Sequence, residues 1–377
     1  MTKLRRLPLG LFAAGLALCA LGWLMVYSAT GQTVVKGSDA WRQAFYIVVG
    51  MGLMVGLSLL DYRWLRKVAV PIYLINLAML MAVALPGIGH SAKGAQRWIS
   101  LGPMGTFQPS ELAKLLLIIT LCCWLARRAE ITHGQVSDPL TLIVSLLHVG
   151  ILFVLIMLQP DLGTAMVLVA VMTVLLFVIG MSPIYLAGML TAGLALVTVA
   201  LKGYQRDRLL IYLYPEADPL GMGYSLIQSK TAIGSGGLWG KGLFAGNMTQ
   251  HGFVPEHMTD FIFAVVGEEL GLLGAVGLIL LYALLLWLIL RIAVKASDRF
   301  GMLLCTGVLA MIGFHVFVNI GMTIGLMPVT GVPLPFISYG GSAILTNLMA
   351  LGLVGSVYLH QREPALFADG RQSYFNA

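Results

Sequence analysis

The side chains best suited to chemistry here are carboxylates at the ends of apolar runs. Asp260 stands in Phe253–Gly271 (FVPEHMTDFIFAVVGEELG), where a long polar stretch meets an apolar one. A carboxylate at such a boundary is partly desolvated, which raises its pKa towards the range useful to a general base. Asp is also a good helix N-cap, so capping of the run that follows is the competing reading of Asp260. Asp161, in Gln159-Pro160-Asp161, also precedes an apolar run and is the rival base. Glu256, in the same segment as Asp260, is counted with the pocket. Glu268 and Glu269 lie two turns beyond Asp260, about 12 Å deeper at a helical rise, and are expected to pair inside the protein.

The second set of candidates is cationic. Glu111 and Lys114 stand at i,i+3 spacing inside an otherwise apolar run. Ionisable groups within a bilayer are costly unless they pair or serve a site, so this pair is expected to neutralise itself and shape a pocket floor. Pro109 and Glu111 also fit an ordinary helix opening, but that does not account for Lys114. Arg97 and Trp98 fall in GAQRWISLG; the planar guanidinium suits phosphate, and the indole suits an interfacial anchor. Lys230 and Lys241 flank a Gly-rich run (KTAIGSGGLWGKGLFAG) whose backbone amides could approach an anion. A flexible loop with short interfacial helices is the equal alternative, and Tyr224, Leu226, Ile227 and Ile233 have the spacing of an amphipathic helix. Ser338 belongs to MPVTGVPLPFISYGGSA, residues 327–343, a Pro/Gly-rich stretch able to line a cavity.

Metal-ligand spacing is missing from the sequence. Cys19, Cys122, Cys123 and Cys305 fall in apolar runs and read as packing residues. His148 and His315 are similarly embedded and read as hydrogen-bonded interior residues.

What must position these groups is a membrane bundle. The chain of 377 residues is 59% hydrophobic and 10% charged, whereas a soluble globule carries about a quarter charged residues. Ten apolar runs of spanning length can be drawn, roughly 9–29, 41–60, 66–86, 109–126, 140–159, 162–181, 183–201, 261–290, 301–327 and 340–360. The eighth and ninth are long enough to tilt, kink or run past the membrane. The expected fold is all-α: one polytopic integral membrane bundle, residues 1–377, with a large extracytoplasmic loop at 202–260 and a short, partly ordered cytoplasmic tail at 361–377.

Basic residues set the orientation. Lys3, Arg5, Arg6, Arg63, Arg66, Lys67, Arg127, Arg128, Arg291, Lys295, Arg299, Arg362 and Arg371 fall on one side, and the short segments opposite hold Lys36, Arg42, Lys93 and Arg97. Both termini are therefore expected in the cytoplasm, and the candidate residues outside. The first run is read as an uncleaved helix rather than a signal peptide. The net charge of +7 reflects this bias and calls for no nucleic-acid partner.

Taken together, GAQRWISLG-x₆-PSELAK, QPDLGTA, GKGLFAG, VPEHMTDFIFAVVGEELG and NIGMTIGLMPVTGVPLPFISYGGSA resemble, in that order, the motifs of the SEDS (shape, elongation, division and sporulation) family. The resemblance covers nearly the whole chain, and GAQRWI and GVPLPFISYGGSA lean to its rod-elongation branch rather than its division branch. It implies a peptidoglycan glycosyltransferase that polymerises lipid II at the outer face of the bacterial cytoplasmic membrane. The family's essential acid falls on Asp260, its embedded pair on Glu111 and Lys114, and its loop Arg-Trp on Arg97 and Trp98. The resemblance also implies a class B penicillin-binding protein, the crosslinking transpeptidase, as a separate chain.

That chemistry needs a base for an acceptor sugar hydroxyl and positive charge for a departing undecaprenyl diphosphate. No covalently bound cofactor is expected; a divalent cation, Mg or Mn, held by the diphosphate and one carboxylate is the candidate metal. A lipid II flippase is the competing class, although the charges cluster at one interface and no inverted repeat is visible. A non-catalytic scaffold of the cell-wall machinery would leave the embedded charges unexplained.

Overall fold

The computed structural model describes residues 7–31, 34–85, 89–92, 95–100, 102, 106–134, 136–200, 211, 212, 214, 216, 218 and 221–361. Lys3, Arg5, Arg6, Lys93, Arg362, Arg371, residues 201–210 of the large loop and all of the tail beyond Gln361 lie outside them.

Among the described residues, ten apolar helices fall on the ten runs: α1 (Leu9–Ala29), α2 (Asp39–Leu59), α3 (Ala69–Ala84), α4 (Pro109–Ile131), α5 (Pro139–Leu158), α6 (Leu162–Val178), α7 (Pro183–Ala200), α10 (Ile262–Val294), α11 (Arg299–Thr323) and α12 (Gly341–Leu359). Between α7 and α10 lie α8 (Met222–Gly236) and the single turn α9 (Asn247–Gln250). Among the described residues, seven helices (α1, α2, α4, α5, α10, α11 and α12) are long and apolar enough to cross a membrane, and α3, α6 and α7 are shorter apolar helices. The protein is a multi-span membrane bundle. Its helices start where the sequence supplies caps: Ser38, Asp138, Asp161 and Asp298 each accept a first-turn N–H, and Pro109 and Pro139 open α4 and α5.

α4, α11 and α12 are largely enclosed, while α2, α5 and α10 turn broad apolar faces outward, as lipid-facing helices do. α12 packs closely on α2, where Gly352 lets the backbones touch: a Cβ there would fall 2.7 Å from the Met54 carbonyl oxygen. A satellite cluster of Ala232, Val254, Phe261 and Ala264 holds α8 against the segment that carries Asp260. The amphipathic helix expected around Tyr224–Ile233 does form as α8, and it turns Leu226 and Ser229 into the protein.

Two features depart from a plain bundle. The predicted outer connection at 87–108 contains a small antiparallel sheet, β1 (Gly89–Ala92), β2 (Ala95–Ser100) and β3 (Thr106–Phe107), paired in the order β1-β2-β3. Backbone groups beside a membrane must find partners, and this segment finds them in itself. α10 is broken at Gly271 (φ 65°, ψ −163°), the kink that its length foreshadowed. The Gly-rich segment fills the break: Lys241 and Gly242 donate N–H bonds to the Glu268 and Glu269 carbonyls, both 3.0 Å, and Gly237 and Leu238 accept from Leu272 and Leu273.

Candidate active site

α2, α4, α6, α10 and α12 all begin at one end of the bundle, and a cavity of about 540 Å³ opens among their first turns. Arg97, Trp98, Glu111, Asp161, Glu256 and Asp260 all line it. Lys114, Lys230, Lys241 and Ser338 do not.

The turn that presents Asp260 is built by Glu256, a non-glycine residue in the left-handed region at φ 53°. The Glu256 carbonyl accepts N–H bonds from Thr259, Asp260 and Phe261 at 3.2, 3.1 and 3.1 Å, and its Oε2 accepts the Thr259 hydroxyl at 3.0 Å. Ser338 acts behind the cavity wall: its Oγ donates to the Thr259 carbonyl (2.6 Å) and accepts from the Leu334 N–H (2.8 Å). Tyr339 N–H donates to the Met258 carbonyl at 2.9 Å, so the two loops are stitched together. Asn319 Nδ2 donates to the carbonyls of Asp260 and Val332, each at 2.8 Å. The N-cap of α10 is Phe261, with no side-chain cap bond, so Asp260 stands one residue before the cap position.

Asp161 is the cap that Asp260 is not. Its Oδ1 accepts the Thr164 N–H (3.1 Å), and its Oδ2 accepts from Thr164 Oγ1 (2.9 Å), Ser110 Oγ (3.3 Å) and Gln108 Nε2 (3.3 Å). Arg97 spends two donors on backbone: Nε reaches the Gln159 carbonyl at 2.7 Å, and Nη2 reaches that of Pro160. The guanidinium thus fastens β2 to the end of α5 while lining the cavity.

Glu111 and Lys114 pair at 2.8 Å and are only 4% and 2% exposed, so the ion pair is interior. Lys114 Nζ also lies 2.8 Å from His315 Nε2. The other two lysines sit elsewhere. Lys230 is exposed beside Gly325, and Lys241 is bound to Glu268 at 2.7 Å. Glu268 further accepts the N–H groups of Met248 (2.9 Å) and Thr249 (3.0 Å) and the Thr249 hydroxyl (2.8 Å). Glu269 accepts from Phe244 N–H, Gln250 Nε2 and Ser28 Oγ. The anions held by the Gly-rich run are therefore two carboxylates of the chain itself.

Arg42 and Tyr339 are cavity residues that the sequence reading passed over. Burial, then a hydrogen bond to Asp39, pushes the Tyr339 phenol up to about 12, so it stays protonated at neutral pH. Arg42 was visible only as an outer-side positive charge at the start of α2. Among the described residues no three His, Cys, Asp or Glu side chains come together as a metal site.

An acid-lined cavity at one end of a multi-span helical bundle defines the class, and similarity to known proteins narrows it. Residues 9–363 match the family model described as "Cell cycle protein" (FtsW, RodA, SpoVE). The chain is 39% identical over 366 residues to the peptidoglycan glycosyltransferase MrdB of Escherichia coli K12, covering 92% of each chain. It is 38% identical over 364 residues to the probable peptidoglycan glycosyltransferase FtsW of Geobacter metallireducens, covering 95% of this chain and 96% of that one. The rod shape determining protein RodA of Thermus thermophilus superposes with TM-score 0.71 at 31% identity, covering 95% and 98% of the two chains. A chain from a structure entitled "Structural coordination of polymerization and crosslinking by a peptidoglycan synthase complex" superposes with TM-score 0.80 at 34% identity, covering 94% and 99%. The chain belongs to the SEDS family.

Proposed function

We propose that the cavity is the polymerising site of a peptidoglycan glycosyltransferase that joins lipid II units into glycan strands during cell elongation. The observation that carries this is the meeting of Asp260, Glu111, Arg97 and Arg42, from four separate parts of the chain, around one cavity. Asp260 is the general base. It takes the proton of the acceptor sugar 4-hydroxyl as that oxygen bonds to the anomeric carbon of the donor, and the bond from that carbon to the diphosphate oxygen breaks. Arg42 and the remaining donors of Arg97 face the charge that develops on the leaving diphosphate. The polyprenyl tail stays in the bilayer while sugars and peptide occupy the cavity.

A divalent cation, Mg or Mn, would neutralise diphosphate charge; Glu256 and Asp260, which line the cavity from one turn, are the carboxylates that would hold it. The cavity end is extracytoplasmic, both termini are cytoplasmic, and the membrane is the bacterial inner membrane. A class B penicillin-binding protein, on a separate chain, crosslinks the product. Against a flippase, which must grip the headgroup from both sides, every candidate group belongs to one end of the bundle.

The test is polymerisation of labelled lipid II by the purified chain with its transpeptidase partner in detergent, where there is no membrane to flip across. Glycan strands should form and should persist when penicillin blocks the partner. Equal polymer from the Asp260→Asn chain would assign the activity to the partner and return the flippase or scaffold reading.

A further inference from the structure

The Glu111–Lys114 pair has a third member, and donor chemistry settles its state. His315 Nδ1 lies 2.7 Å from the Met311 carbonyl oxygen, which can only accept, so Nδ1 carries the hydrogen. His315 Nε2 lies 2.8 Å from Lys114 Nζ, and an ammonium can only donate. The imidazole is therefore neutral with its lone pair on Nε2, and the ammonium is shared between that nitrogen and Glu111 Oε1. His315 is 3% exposed, so water cannot stand in for it.

We propose that His315 is a positioning residue for the Glu111 carboxylate at the cavity wall, acting through Lys114. The proposal rests on the reading of the cavity as the polymerising site. An ammonium gripped by a carboxylate alone can swing about that one bond. Gripped from two sides, it has one position, and the carboxylate that it holds has one orientation towards the cavity. The same face of α11 carries Asn319 one turn further on, with its amide bonded to the Asp260 and Val332 carbonyls. Thr323 follows one turn later, and its carbonyl accepts the Ser229 hydroxyl of α8 at 2.9 Å. One helix face thus sets Glu111 and the Asp260 turn in a common frame. The bland alternative is a neutral histidine that merely fills space and satisfies its own helix.

Two near-isosteric variants separate these readings. In His315→Gln the amide oxygen lies the same number of bonds from Cα as Nε2, so it can still accept from Lys114. In His315→Asn the amide reaches only the place of Nδ1, which keeps the Met311 bond and loses the lysine. Initial polymerisation rates with the transpeptidase partner are measured against lipid II concentration, with folded protein counted by size exclusion. The Asn variant should lose kcat by about 10- to 100-fold with little change in KM, and the Gln variant should stay within about threefold of wild type. In a Lys114→Met background the difference between the two should vanish. Equal rates for Gln and Asn, or a difference that survives in Lys114→Met, overturns the proposal. An inactive wild-type chain would overturn the polymerising reading as well, so the two failures are distinguishable.

Discussion

Two acidic regions flank the first segment of α10, and they are built in opposite ways. Behind it, Glu268 accepts four hydrogen bonds, two on each oxygen, from Lys241, Met248 and Thr249. Ahead of it, Asp260 lines an open cavity on a turn held by the three N–H groups on the Glu256 carbonyl and the Asn319 bond to the Asp260 carbonyl. Both regions combine acids, glycines and a cation near the membrane boundary, so composition does not tell them apart. The difference lies in where the donors point. A carboxylate enclosed by the donors of its own chain holds structure, and one that lines a cavity stands where a visitor can meet it.

The largest effect should come from the cavity side. Asp260→Asn keeps shape and removes the base, so polymerisation should fall by about 10²- to 10⁴-fold while yield and thermal stability stay near wild type. A large loss of stability instead would put Asp260 in the structural class with Glu268.

Glu268→Ala should show the reverse. It strands Lys241 and the α9 amides and should cost about 3 kcal/mol, the low end for a broken buried pair because Lys241 reaches solvent. A melting curve reads this directly, and the rate per folded molecule should change far less than in Asp260→Asn. Asn319→Leu should fall between the two. It leaves the Asp260 and Val332 carbonyls without their donor, so about 1–3 kcal/mol of stability and part of the rate should go together. Separation of the two losses would show that the Asp260 turn keeps its shape without Asn319.

Much of this was legible in the sequence because membranes make certain residues expensive. The ten apolar runs follow from hydropathy, and the charges at Glu111, Lys114 and Arg97 stand out against it. What stayed hidden was pairing across distance. The Gly-rich run looked fit for a foreign anion because Glu268, its actual anion, lies 27 residues beyond Lys241. His315 reads as a hydrogen-bonded interior residue, but its partner could not be named because Lys114 is 201 residues away. The sheet at 89–107 was missed because a short, Gly-containing segment between two spans reads as a loop until its register is seen. Asp161 and Asp260 looked alike, each before an apolar run, and only geometry separates the cap from the cavity acid.

Asp161 is for that reason the case that sharpens the comparison most, with the smallest effect. It lines the cavity with Asp260, yet it is saturated like Glu268. If location decided function, Asp161→Asn should be as damaging as Asp260→Asn. If saturation decides, the asparagine should be mild: its oxygen can keep the Thr164 N–H, and its amide can donate to the hydroxyls of Thr164 and Ser110, which accept as readily as they give. Gln108 loses only its 3.3 Å bond to residue 161 and, with its amide turned, can accept from the Ser110 hydroxyl. The expected result is polymerisation within about tenfold of wild type for Asp161→Asn, with a cap loss of about 1 kcal/mol appearing in melting only when the side chain is cut back to alanine. A rate loss in Asp161→Asn as large as that of Asp260→Asn, without a fall in stability, would make Asp161 a second base.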